Sequence, residues 1–143
     1  MINNNLTVFL ADDDQDDRSL FLEALVGLPF KTKIKIFDNG VDLMADLLDP
    51  NSSLPDILFL DLYMPLMTGE ECLQDIRNEP TLVKIPVVIY SGYFDISKIN
   101  LLRNKGANRF LQKPSSFNEL QTLLEQSILS IINPIESESF VIK

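Results

Sequence analysis

The chain has no histidine, a single cysteine, and only 12 lysines and arginines against 21 aspartates and glutamates. Without histidine, a Cys–His nucleophile pair is closed. Cys72 alone forms no internal disulfide, which fits a reducing compartment, and it reads as a small apolar filler on a helix. The acidic excess leaves a net charge of −9 with no basic cluster. Nucleic acid would have to bind against the protein's own field, so protein partners are expected instead. No run approaches the roughly 18 to 20 apolar residues of a membrane span. The start MINNNLTVFLA lacks the basic flank and cleavage site of a signal peptide, so the expected location is the cytoplasm, without membrane association.

What the chain does have is a series of short apolar runs that stop at polar groups. At 143 residues it is expected to form one domain with a real core. Ile57 to Leu60 is uninterruptedly apolar and ends in Asp61, the pattern of a strand buried on both faces; Pro65 and Gly69 then force a loop. Leu6 to Ala11 is a similar run, ending in Asp12, Asp13 and Asp14. The stretch from there to Leu28 carries Leu20, Phe21, Ala24, Leu25 and Leu28 at helical spacing, with acids in its first turn. Lys33 to Phe37 alternates as an edge strand would. Asp38, Asn39 and Gly40 make the turn into a short helix with Val41, Met44, Leu47 and Leu48 expected inward. Gly69 to Glu79 reads as a helix on Cys72, Leu73 and Ile76, and Ile85 to Tyr90 as a buried strand ending in Ser91. Asp95 to Lys105 is a helix on Ile96, Ile99 and Leu102, stopped by Gly106. Asn108 to Gln112 is a fifth strand, ending at Lys113 and Pro114. Ser116 caps a last helix on Leu120, Leu123, Leu124, Ile128 and Ile131. Five strands alternating with five helices imply an α/β fold, a mostly parallel sheet covered on both faces. Residues 134–143 read as a frayed tail beyond a domain of residues 1–133, in preference to a docked strand.

In such a sheet the carboxyl ends of the strands share one rim, and ligands bind there. Asp12, Asp13, Asp61, Ser91 and Lys113 all fall at strand ends. Three crowded carboxylates repel one another unless a cation joins them, and an oxygen-only donor set suits Mg2+. A carboxylate there can serve as nucleophile toward a phosphoryl group, with Lys113 neutralising charge and Ser91 donating a hydrogen bond.

These residues resemble the motif set of the receiver domain of two-component response regulators, over about Leu6 to Asn133. They are the acidic pair Asp12 and Asp13, Asp61 within DLYMP, Ser91 thirty residues on, and Lys113–Pro114 twenty-two after that. The resemblance implies a flavodoxin-like sheet of order 2-1-3-4-5 and phosphorylation of Asp61 by a histidine kinase or phosphotransfer protein. It implies that Asp13, Asp61 and the Tyr63 backbone carbonyl bind Mg2+ directly, with Asp12 acting through water. Lys113 and Ser91 would hold the phosphoryl oxygens, and the Lys113–Pro114 peptide would be cis. Ser91 and Phe110 would form the switch that alters the surface of the fourth helix, fifth strand and fifth helix for a downstream protein partner. Tyr63 and Tyr93 would flank the entrance. The chain looks like a stand-alone, chemotaxis-regulator-like bacterial receiver, not an enzyme beyond its own phosphorylation and dephosphorylation, and a homodimer is open to it.

The acidic run is also open to three other readings. A calcium loop on Asp12, Asp14, Asp16 and Glu23 has Asp17 where glycine is needed. A phosphohydrolase using Asp12 as nucleophile and Asp14 as acid leaves Asp61 without a role. A flavin module would want a Gly/Ser/Thr-rich loop where these acids stand. Asp14 to Asp17 read as solvated charge favouring the helix dipole.

Overall fold

The computed structural model describes residues 5–134 and 139–142. Its elements are β1 (Leu6–Ala11), α1 (Gln15–Val26), β2 (Thr32–Phe37), α2 (Gly40–Leu48), β3 (Ile57–Leu60), α3 (Gly69–Asn78), β4 (Val87–Ser91), α4 (Ile96–Asn104), β5 (Arg109–Gln112), α5 (Phe117–Ile132) and β6 (Val141–Ile142). The strands lie in the order β2-β1-β3-β4-β5-β6, and every neighbouring pair is parallel. The expected α/β architecture and the order of its first five strands are thus present.

Chain composition explains the layering. β3 and β4 are buried along their whole length, as continuous apolar strands covered on both faces must be. Alternate residues then point to opposite cores. Phe9, Leu58, Leu60 and Ile89 meet α2, α3 and α4 through Leu43, Leu73, Ile76 and Leu102. Val8, Leu10, Phe59 and Val88 meet α1 and α5 through Phe21, Leu25, Leu124 and Ile128. β2, at the edge, keeps Lys33 and Lys35 exposed.

Each helix starts on a side-chain oxygen: Asp14, Asn39, Thr68, Asp95 and Ser116 accept from backbone N–H groups of the first turn. Thr68 and Glu71 form a reciprocal capping box. These caps fix where the helices begin, and so the loops between strand ends and helices.

Three local expectations are corrected. In α2 the inward stripe is Gly40, Leu43, Met44 and Leu47, whereas Val41 and Leu48 are 46% and 53% exposed. Gly40 presses against Met67 and Cys72, where a Cβ would collide, and this close approach sets the helix rotation. In α1 and α4 the first residue of each expected stripe, Leu20 and Ile96, lies on the exposed side.

The third correction concerns the stretch read as a tail: its residues 141–142 form a sixth strand, while residues 135–138 and 143 lie outside the described residues. The Phe110 N–H donates to Phe140 O at 2.9 Å, and Ile142 is buried against the α1/α5 core. Val141 and Ile142 are β-branched apolar residues facing an otherwise open strand edge, a better site for them than water. Replacing Ile142 with alanine is expected to lower stability by about 1–2 kcal/mol, at the low end for a buried isoleucine because β6 is short. Urea unfolding checks this; an unchanged midpoint would mean that β6 contributes nothing.

Arg77 ties the far end of this assembly together. Its guanidinium donates to the backbone carbonyls of Gly106, Val83 and Ile85 and to Asn108 Oδ1, at 2.8–3.1 Å. Asn108 Oδ1 also accepts from the Val87 N–H at 2.8 Å. One α3 side chain thereby fixes the loops entering β4 and β5.

Candidate functional site

The rim formed by the strand ends gathers the expected residues. Asp12 follows β1, Asp61 follows β3, Ser91 closes β4 and Lys113 follows β5. Backbone pairing carries them there: the Asp61 N–H donates to Ala11 O at 2.9 Å and the Lys113 N–H to Ser91 O at 2.8 Å. Gly69 sits against the Asp61 backbone carbonyl, which a Cβ would strike, so only glycine lets α3 start this close to the site.

Carboxylate oxygens of Asp12, Asp13 and Asp61 lie within 4.8 Å of one another. Asp12 is fully buried and Asp61 is 6% exposed, while Asp13 faces solvent. Lys113 Nζ stands 2.8 Å from Asp12 Oδ2, 2.9 Å from Asp17 Oδ2 and 3.6 Å from Asp61 Oδ2. The fully buried Asp12 Oδ2 is held in this 2.8 Å ion pair and accepts no hydrogen bond from any other group among the described residues. Asp12 Oδ1 accepts from the Asp14 N–H at 3.0 Å.

Electrostatics follow from this crowding. Burial, opposed by Lys113 and reinforced by Asp12, pushes the Asp61 carboxyl up to about 7. Burial alone would lower the Lys113 ammonium, but Asp12, Asp17 and Asp61 outweigh it and raise its pKa. The ammonium also stands 5.2 Å from the centre of the Tyr90 ring, whose phenol burial raises. Lys113 is therefore a fixed positive charge. The donor set fits a hard cation: three carboxylates converge, and every ligand atom they offer is oxygen.

Ser91 is buried, and its Oγ accepts from the Tyr93 N–H at 3.2 Å. Phe110 is also buried and packs edge-on against Phe94, with ring centres 6.2 Å apart. Tyr63 and Tyr93 are exposed and stack edge to face at 5.5 Å. The loop after β3 holds Leu66 at φ 70°, a left-handed conformation that is costly for a γ-branched side chain. Among the described residues no peptide bond is cis. Lys113–Pro114 is thus trans, against expectation; trans is the more stable isomer of a prolyl bond by about 0.5–1 kcal/mol.

The receiver domain profile of response regulators matches residues 8–125. The chain belongs to the response regulator receiver domain family. It is 31% identical over 121 residues to the DNA-binding transcriptional regulator NtrC of Salmonella typhimurium, covering 85% of this chain and 24% of NtrC. It is 30% identical over 129 residues to the chemotaxis protein CheV1 of Helicobacter pylori, covering 87% of this chain and 39% of CheV1. The receiver thus spans well under half the length of these two relatives. With the rice two-component response regulator ORR5 it shares 31% identity over 117 residues, 81% of this chain and 84% of ORR5. Among solved structures it is similar to the phosphorylated cyanobacterial phytochrome response regulator RcpA, with a TM-score of 0.83 and 26% identity over 95% of this chain and all of that one. The Mn(2+)-bound response regulator Rcp1 gives 0.78 and 26% over 94% and 98%. Receiver domains act as phosphoacceptors.

Asp17, expected to be solvated charge, instead accepts a hydrogen bond from Lys113 at 2.9 Å across 96 residues of chain. No local pattern announces such a contact. Asp14, the acid of the hydrolase alternative, is spent on capping α1, accepting from the Asp17 N–H at 2.9 Å.

Proposed function

We propose that this receiver accepts a phosphoryl group on Asp61 from a histidine kinase or histidine phosphotransfer protein, with Mg2+ as cofactor. The observation that carries the reading is a buried carboxylate at a strand end, 3.6 Å from a lysine and sharing a 4.8 Å cluster with two further acids. The Asp61 carboxylate attacks the phosphorus of a phosphohistidine; an O–P bond forms as the N–P bond breaks, and the imidazole nitrogen leaves with the electron pair and takes up a proton. Lys113 offsets the charge of the product acyl phosphate, and Ser91, released from Tyr93, donates to a phosphoryl oxygen. Asp12, Asp13, Asp61 and the Tyr63 backbone carbonyl would hold the Mg2+. Its contribution there is charge neutralisation and orientation of the phosphoryl oxygens.

Movement of Ser91 and Phe110 then biases the surface of α4, β5 and α5, over a receiver unit of residues 1–133, to control a downstream protein partner or a homodimer. No helix among the described residues is long and apolar enough to cross a membrane, which suits action in the cytoplasm without membrane attachment.

Calorimetric titration with beryllofluoride and Mg2+ tests the reading. The wild type is expected to bind one equivalent, and Asp61→Asn none. Binding retained by Asp61→Asn but lost in Asp12→Asn, together with steady turnover of phosphate esters, would instead favour the hydrolase that uses Asp12 and Asp14.

A further inference from the structure

We infer that Asp17 is a competing anion that holds Lys113 away from Asp61 in the resting receiver, and so limits how strongly a phosphoryl group is held. The inference rests on Asp61 as phosphoacceptor and concerns a residue outside that site's acids. At the third position of α1 an acid ordinarily serves its own helix end. Here the Asp17 carboxylate turns instead to Lys113, 96 positions away, and accepts its hydrogen bond at 2.9 Å. Among the described residues it makes no other side-chain hydrogen bond or ion pair.

Distances give the direction of the effect. The ammonium is 2.8 Å from Asp12 and 2.9 Å from Asp17 but 3.6 Å from Asp61, beyond hydrogen-bonding range, and of the two nearer anions Asp17 is the one outside the acid cluster. A phosphoryl group on Asp61 needs that same ammonium, so part of the contact with Asp17 must be given up when the two meet. An anion that binds Lys113 more strongly in the resting state than in the phosphorylated one opposes phosphorylation by that difference. Neutralising Asp17 removes the opposition. The Asp17 side chain is about one-third exposed, so solvent screens the pair and the effect is that of a weakened charge-assisted hydrogen bond.

The test is beryllofluoride affinity at saturating Mg2+, compared across the wild type, Asp17→Asn, Asp17→Ala and Asp17→Glu. Both neutral variants are expected to bind about three- to tenfold tighter, the range a partly screened charge-assisted hydrogen bond supplies, and Asp17→Glu is expected to stay near the wild type. Repeating Asp17→Asn in a Lys113→Ala background should abolish the gain, which shows that Asp17 acts through the lysine. A residue with a merely structural role would lower stability without tightening binding. Equal or weaker binding by the neutral variants, or a gain that survives Lys113→Ala, overturns the inference and leaves the phosphoacceptor reading standing. A wild type that binds no beryllofluoride sinks both.

Discussion

Asp61→Asn is expected to stabilise the protein at neutral pH in the presence of a chelator, by on the order of 2–4 kcal/mol. The sign follows from the direction of the shift. Burial raises the Asp61 carboxyl from 3.8 to about 7, so between those values the folded state binds a proton that the unfolded chain has released. Stability therefore falls as pH rises from about 4 to about 7, and flattens above. An asparagine carries no charge to desolvate, and its pH profile should lack that slope. Urea unfolding of both proteins in chelator, from pH 4 to pH 8, reads it directly. Parallel profiles would show that Asp61 is not strained by its surroundings. The same variant is expected to lose beryllofluoride binding, so one substitution would separate stability from function.

The second large effect lies at the opposite end of the sheet. Arg77→Ala is expected to cost about 3 kcal/mol, because charge-assisted hydrogen bonds to several acceptors are lost at once and the carbonyls of Val83, Ile85 and Gly106 lose their donor. Burial lowers the guanidinium pKa, but an arginine stays protonated across the range where Asp61 titrates, so this loss should be independent of pH there. Arg77→Lys is expected to recover less than half, since one ammonium cannot reproduce the planar fork. A midpoint shift of under about 0.5 kcal/mol in chemical denaturation, the usual range for a surface substitution, would show the network to be ornamental.

These two residues mark what was legible in the sequence and what was not. Asp61 was readable because a buried parallel strand is a continuous apolar run, and the polar residue that ends it sits on the ligand-binding rim. The same reasoning gave Asp12, Asp13, Ser91 and Lys113, and the spacing among them carried the family. Arg77 and Asp17 were not readable. Each lies on a helix whose periodicity marks it as a polar position, and each partner comes from a distant segment that only the folded chain brings near. β6 was missed for a related reason: two apolar residues have no periodicity, and the edge that attracts them exists only once β5 is in place. The rotation of α2 was likewise decided by a neighbour, since Gly40 packs on Met67 and Cys72.

The two flanks of the sheet differ in how they stop. On one side β2 turns Lys33 and Lys35 outward, so a second molecule approaching with its own edge strand would have to bring like charge against like. On the other, β6 covers β5 with two paired residues among those described, a short ledge. Both endings disfavour growth of the sheet by addition of a further strand from a second molecule.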